Sequence, residues 1–195
     1  MNINDITFDN FMSLDSKDRK FILNDIESLK ILVKNNMSDK RYQHSLSVAD
    51  VCKDLANHYH LDSIKAYKAG LLHDVCKDLD EEILFEYLKY YDPIKLNNIY
   101  GAYHAWAGKY YLKEKTNFHD KDILNAIYNH TICISRDKLS MILYIADKRE
   151  PLRNINDGVL QLAYTDLNKA FTQVSWSVER YIEEVKNERF VKNSL

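Results

Sequence analysis

Glycine and proline are scarce in this chain, with four and two copies among 195 residues. Few turns that need positive φ or a locked φ can therefore form, which favours long helices over many short strands. Cysteine is as thin. Cys52, Cys76 and Cys133 are odd in number and irregularly spaced, so the chain carries neither a disulfide framework nor a CxxC metal motif. Charge of one sign is also lacking. The formal net charge is −2 and no dense Lys/Arg run occurs, so nothing points to a nucleic acid partner. The longest apolar run, 141–146, is far too short to span a bilayer. Residues 1–20 are polar and acidic and lack the apolar stretch of a signal peptide. These absences together predict a reducing, cytoplasmic setting with no membrane partner.

What the chain has instead is helical periodicity. The spacing of Ile22, Ile26, Leu29 and Val33 predicts a helix over 16–34, stopped by Asn35-Asn36. Further helices are expected from 39 to about 59, from 62 to 73, from 80 to the Asp92-Pro93 break, and from 100 to 115. Three more are expected from 120 to 130, from 138 to 147, and from Asp166 onward. The last would turn Leu167, Ala170, Phe171, Val174, Val178, Tyr181 and Ile182 inward. No repeat, low-complexity tract or linker interrupts this pattern. The reading is one all-α domain: a leader at 1–15, an outer helix at 16–36, a core at 37–165 and a C-terminal helix at 166–195.

Within the core, His73 and Asp74 stand side by side after an apolar helical run, Gly70-Leu71-Leu72. Imidazole nitrogen and carboxylate oxygen both bind divalent metals. His44 lies upstream, Asp147 downstream, and His104 and His130 between, each on an otherwise apolar segment. A lone histidine on a helix is usually a surface or hydrogen-bonded core residue, and His58, His60 and His119 are read that way. A mixed N/O set such as His44, His73, Asp74 and Asp147, with positions left for water, fits a catalytic metal better than a sealed structural one. Iron, manganese, cobalt and zinc all suit such a set.

The order of these residues matches a known pattern, H…HD…D. The stretches that carry it are Arg41-Tyr42-Gln43-His44-Ser45-Leu46, Leu72-His73-Asp74-Val75-Cys76-Lys77-Asp78, Tyr103-His104-Ala105-Trp106-Ala107-Gly108, Asn129-His130-Thr131, and Ala146-Asp147 with Glu150-Pro151 and Arg153. The chain thus resembles the HD-domain phosphohydrolases, and within them the YqeK-type branch, over roughly 33–166. The resemblance implies an HD-type helical bundle around a metal site. It implies symmetrical hydrolysis of diadenosine tetraphosphate to two ADP by a metal-activated water, with iron as the metal. Carried onto this sequence, the metal ligands are His44, His73, Asp74 and Asp147. His104, His130 and Asp74 take the catalytic roles. His73, Lys77, His104, His130, Thr131, Asp147 and Arg153 face the nucleotide phosphates. His104 and His130 either bind phosphate around one tight metal, the favoured arrangement, or hold a second metal. A homodimer stays open. Two departures stand out: Ala105-Trp106-Ala107 is poorer in Gly and Pro than the related stretch, and Lys148-Arg149 is more basic.

Two other functions are compatible with the same residues. One is a different HD-type nucleotide phosphohydrolase, which substrate profiling separates, because symmetrical cleavage of diadenosine tetraphosphate yields only ADP. The other is a metal-containing nucleotide sensor without turnover.

Overall fold

The computed structural model describes residues 2–192; the first residue of the expected leader and the last three of the expected C-terminal helix lie outside them. Among the described residues there are ten α-helices, five short 3-10 helices and no strand. The α-helices are α1 (Ser16–Asn24), α2 (Ile26–Lys34), α3 (Asp39–His58), α4 (Ser63–Leu72), α5 (Glu81–Tyr91), α6 (Tyr103–Thr116), α7 (Lys121–Asn129), α8 (Lys138–Arg149), α9 (Val159–Thr165) and α10 (Leu167–Lys192). Among these residues no helix is long and apolar enough to cross a membrane.

Aspartate or serine opens most of these helices. Asp15, Asp25, Ser38, Asp62, Asp120 and Asp137 each accept a backbone N–H from the first turn they precede. That satisfies donors the helix leaves unpaired. One such cap divides what the periodicity reads as a single outer helix. Asp25 adopts an extended conformation, ends α1 and starts α2, and accepts both the N–H and the Oγ–H of Ser28 at 2.8 and 2.7 Å. The local side-chain bonds outweigh continuation of the helix. After the break α2 turns inward, and Leu29, Leu32 and Val33 are fully buried. The N-terminal leader docks beneath it through Ile6, Phe8 and Phe11, with the Phe8 N–H bonded to Asn36 Oδ1 at 2.9 Å.

At the centre lie α3, α4 and α8. From Met141 to Asp147 every residue of α8 is buried, as expected of a helix enclosed on all sides. It packs against α3, α4, α7, α9 and α10. Gly70 of α4 faces the backbone of Ala49 on α3, where a β-carbon would come within 2.5 Å of the Ala49 Cα. Only a residue without that atom permits this approach.

Other departures from the periodicity are local. The helix expected from residue 100 begins as a 3-10 turn, Tyr100–Ala102, before α6. The short helix α9 and the 3-10 turns Pro93–Asn97 and Pro151–Arg153 carry too few residues for a periodic signal. On α10 the inward stripe holds through Ala170, Phe171 and Val174, whereas Tyr181 is exposed.

Candidate metal centre

Five helices deliver one ionisable cluster. His44 comes from the second turn of α3, and His73 caps the C-terminus of α4 with Asp74 directly after it. His104 comes from the first turn of α6, His130 caps the C-terminus of α7, and Asp147 lies in the last turn of α8. Helix ends concentrate here because the last turn of a helix leaves carbonyls unbonded. Two histidines use them: His73 Nδ1 lies 2.6 Å from the Gly70 carbonyl and His130 Nδ1 lies 2.7 Å from the Ile127 carbonyl. Both rings therefore carry their proton on Nδ1 and present a bare Nε2. His44 is held alike, with Nδ1 against Glu150 Oε1 at 3.1 Å, while Ser47 Oγ donates to the other Glu150 oxygen at 2.7 Å.

These Nε2 atoms surround two carboxylates. His44 Nε2 is 3.2 Å from Asp147 Oδ1 and 3.9 Å from Asp74 Oδ2. His73 Nε2 is 3.6 Å from Asp74 Oδ2 and 3.8 Å from Asp147 Oδ1. The opposite oxygen of Asp74 faces another way: His104 Nε2 is 3.3 Å and His130 Nε2 3.4 Å from Oδ1. Asp74 thus stands between two pairs of histidines, one oxygen for each.

His104 differs from the other three. Its Nδ1 faces the Lys77 ammonium at 3.2 Å, which places its proton on Nε2. That Nε2–H points at His130 Nε2, 3.1 Å away, and Thr131 Oγ1 lies 3.3 Å from the same nitrogen. His104 is a donor toward the cluster, and His130 is an acceptor.

The donor set fits a divalent cation. Buried and without any hydrogen-bond partner, His73 Nε2 is an unsatisfied lone pair aimed between Asp74 and Asp147. A native core rarely leaves such an atom unpaired. Its Nδ1–H bond to a backbone carbonyl is the orienting contact typical of a metal-binding histidine. Ligand atoms of His44, His73 and Asp147 lie within 4.8 Å of one another, as do those of His73, Asp74 and His130.

Charge in the site is set by burial and by neighbours. Burial pushes His73 and His104 down to about 4, against the opposing pull of Asp74, so both rings are neutral at physiological pH. For His44 burial acts downward too, but the hydrogen bonds to Asp147 and Glu150 outweigh it and raise its pKa. Burial would raise Asp74 and Asp147; the charges around them hold both well below the usual carboxylate range. For Asp74 the strongest opposing influence is His73, and for Asp147 it is Lys148.

Sequence and geometry agree on place. His44, His73, Asp74, Lys77, His104, His130, Thr131, Asp147 and Arg153 all meet here. Arg153, expected at phosphate, rests on the carboxylate of Asp147, with Nη2 at 2.8 Å from Oδ1 and Nε bonded to the Asp147 carbonyl. Three further residues belong to the cluster; the sequence reading marks Lys148 only as a basic departure and gives Arg41 and Glu150 no role. Arg41 donates to Asp74 Oδ2 at 2.7 Å, Lys148 pairs with Asp147 Oδ2, and Glu150 orients His44. Arg41 stands three residues before His44, so the two share a helix face, and that spacing was the available signal. His58, His60 and His119 are exposed and outside the cluster, as expected.

Comparison with known proteins gives this arrangement a family. The HD domain model matches residues 41–152, from Arg41 of the cluster to the turn that holds Arg153. The chain belongs to the HD domain family. A crystal structure from Clostridium acetobutylicum, described as a predicted HD superfamily hydrolase involved in NAD metabolism, is similar with a TM-score of 0.74 and 34% identity, covering 84% of this chain and 88% of that one. A symmetrical bis(5'-nucleosyl)-tetraphosphatase of Halalkalibacterium halodurans is 35% identical over 71% of this chain and 77% of its own. A longer HD relative, named a probable nicotinate-nucleotide adenylyltransferase/Ap4A hydrolase of Mycoplasma genitalium, is 36% identical over 75% of this chain. The match spans only 43% of that relative's own length, less than half. HD domains bind divalent metals, and the His/Asp groups above are this chain's candidate ligands.

Proposed function

We propose that this protein hydrolyses diadenosine tetraphosphate symmetrically, releasing two ADP, at a divalent transition metal held by His44, His73, Asp74 and Asp147. The observation that carries this reading is the unpaired Nε2 of buried His73, aimed between two ionised carboxylates. When bound, such a cation supplies Lewis acidity toward phosphoryl oxygen and lowers the pKa of water. Iron is the metal the family resemblance implies.

The other steps belong to the chain's own residues. Arg41, Lys148 and Arg153 stand around the two carboxylates and supply charge-assisted donors for a polyphosphate chain. His104 is neutral, carries its proton on Nε2 with the Lys77 ammonium behind it, and offers a hydrogen bond, not a proton, to charge developing on the phosphate of the departing ADP. Thr131 Oγ1 lies beside the same nitrogen and adds a neutral donor. The bare Nε2 of His130 suits a metal rather than a phosphate. With Asp74 Oδ1 3.4 Å away, His130 and Asp74 would be the residues to hold a second cation, which would supply further charge toward the phosphates. The likeness to a symmetrical tetraphosphatase over most of both chains supports the substrate.

Elemental analysis of protein purified without chelator, followed by product chromatography with diadenosine tetraphosphate, tests the proposal. The expected result is bound transition metal and ADP as sole product, with Asp74→Ala losing metal and turnover together while staying helical. Products of AMP and ATP, or no turnover in metal-loaded protein, would sink it.

A further inference from the structure

Away from the metal centre lies a cleft of ≈ 1100 Å³. Five lysines, among them Lys109, Lys113, Lys121 and Lys138, and three aspartates line it, with an apolar floor that includes Leu124 and Leu139. Lys65, also at the cleft, is committed to Asp122 and Asp120 at 2.7 and 3.2 Å. The four other lysines form no ion pair among the described residues, where Asp137 spends its oxygens on Ser135, Ser140 and Asn125. Lysine exceeds aspartate in the lining by two, and this excess of one sign against apolar side chains focuses positive potential into the space between them.

The cleft occupies the far ends of the helices that build the metal centre. Lys113 and His104 on α6, Lys121 and His130 on α7, and Lys138 and Asp147 on α8 are each nine residues apart. At 1.5 Å per residue that is about 13 Å along each axis. A ligand in the cleft therefore does not share the metal.

We propose that this cleft is a second binding site, for a nucleoside polyphosphate. Its phosphates would meet the four lysines, and its base would lie on the leucine floor. Lys109 already stands 5.0 Å from the centroid of the Tyr128 ring, and Lys138 stands 5.7 Å from that of Tyr59. Both rings lie outside the lining of the cleft, and the contacts leave the lysine charges intact. The site is independent of the reaction proposed above and would stand if that reaction were wrong.

Equilibrium dialysis of the metal-loaded protein with the hydrolysis-resistant β,γ-imido analogue of ATP tests this. The work is done at about 0.15 M salt, where loosely placed surface charges are largely screened. The expected result is that binding survives Asp74→Ala, and that Lys109→Gln with Lys121→Gln weakens the surviving binding tenfold or more while leaving turnover of diadenosine tetraphosphate unchanged. Inorganic triphosphate should bind at least tenfold more weakly than the nucleotide analogue, because it leaves the leucine floor uncovered. The proposal is overturned if Asp74→Ala abolishes all nucleotide binding, if the lysine variant binds like the parent, or if inorganic triphosphate binds as tightly.

Discussion

Gly70 and Ala49 fix the distance between the two helices that carry His73 and His44. A β-carbon on Gly70 would stand 2.5 Å from the Ala49 Cα and 2.8 Å from its backbone nitrogen. Neither atom can rotate away, so Gly70→Ala must push α4 from α3. Overpacking of this kind costs about 1–3 kcal/mol. We expect a lower Tm by calorimetry and, in the fraction that folds, weaker metal retention during dialysis, because His73 and His44 move apart. A variant with parental Tm and metal content would show that the helices have slack here.

His104 and His130 should separate on mutation. His104 is a donor backed by Lys77, and His130 presents a bare nitrogen to Asp74 Oδ1. His104→Ala is expected to keep its metal and lose on the order of 10²–10³ in kcat, the usual cost of removing one hydrogen-bond donor to developing charge. His130→Ala is expected to lower the metal content per chain, read by elemental analysis. Identical metal content in the two variants would argue against this division.

Arg153 is exposed, yet its guanidinium rests on the Asp147 carboxylate. Arg153→Ala should leave the metal in place and reduce kcat/KM. Loss of one charge-assisted contact is worth about 1.5–3 kcal/mol, or roughly ten- to a hundredfold. Steady-state kinetics on diadenosine tetraphosphate reads this directly, and unchanged kinetics would confine Arg153 to a supporting role on Asp147.

The cap of α8 gives a prediction in pH. Hydrogen bonds from Ser135 and from Ser140, working against partial burial, hold Asp137 below its ordinary value of 3.8. A carboxylate depressed in the folded state contributes stability above its unfolded pKa and loses it as pH falls through the folded value. Asp137→Ala should therefore destabilise by about 1 kcal/mol near neutrality, with the gap closing as pH drops below 3.8. Denaturant melts at pH 7 and pH 3 measure it; an equal difference at both would remove the carboxylate as its cause.

Much of this molecule was legible in its sequence because two signals are local. Apolar spacing of 3.6 marks α3, α4 and α7, a continuous apolar run marks α8, and aspartate before a helix marks where most begin. Histidine and aspartate at the ends of apolar helices then pointed to the candidate metal ligands, which the fold brings together. What periodicity does not carry is which partner each polar side chain takes, near in the chain or far, and that was not legible. Asp25 breaks a periodic run because Ser28 gives it two hydrogen bonds. Glu150 looks like a helix-end acid until His44, 106 residues earlier, is seen against it. The different roles of His104 and His130 rest on Lys77 and on the Ile127 carbonyl, which neither residue type reveals.

The candidate ligands sit on α3, α8 and the turn after α4, so no short piece of chain can assemble the centre. A cation that binds this arrangement has little to hold in the unfolded chain. Its binding free energy then adds to the stability of the whole bundle, by about 2.7 kcal/mol when free metal is a hundredfold above its Kd. Chelation would act on the fold as well as on turnover, and the melting temperature of this protein would report the free metal concentration around it.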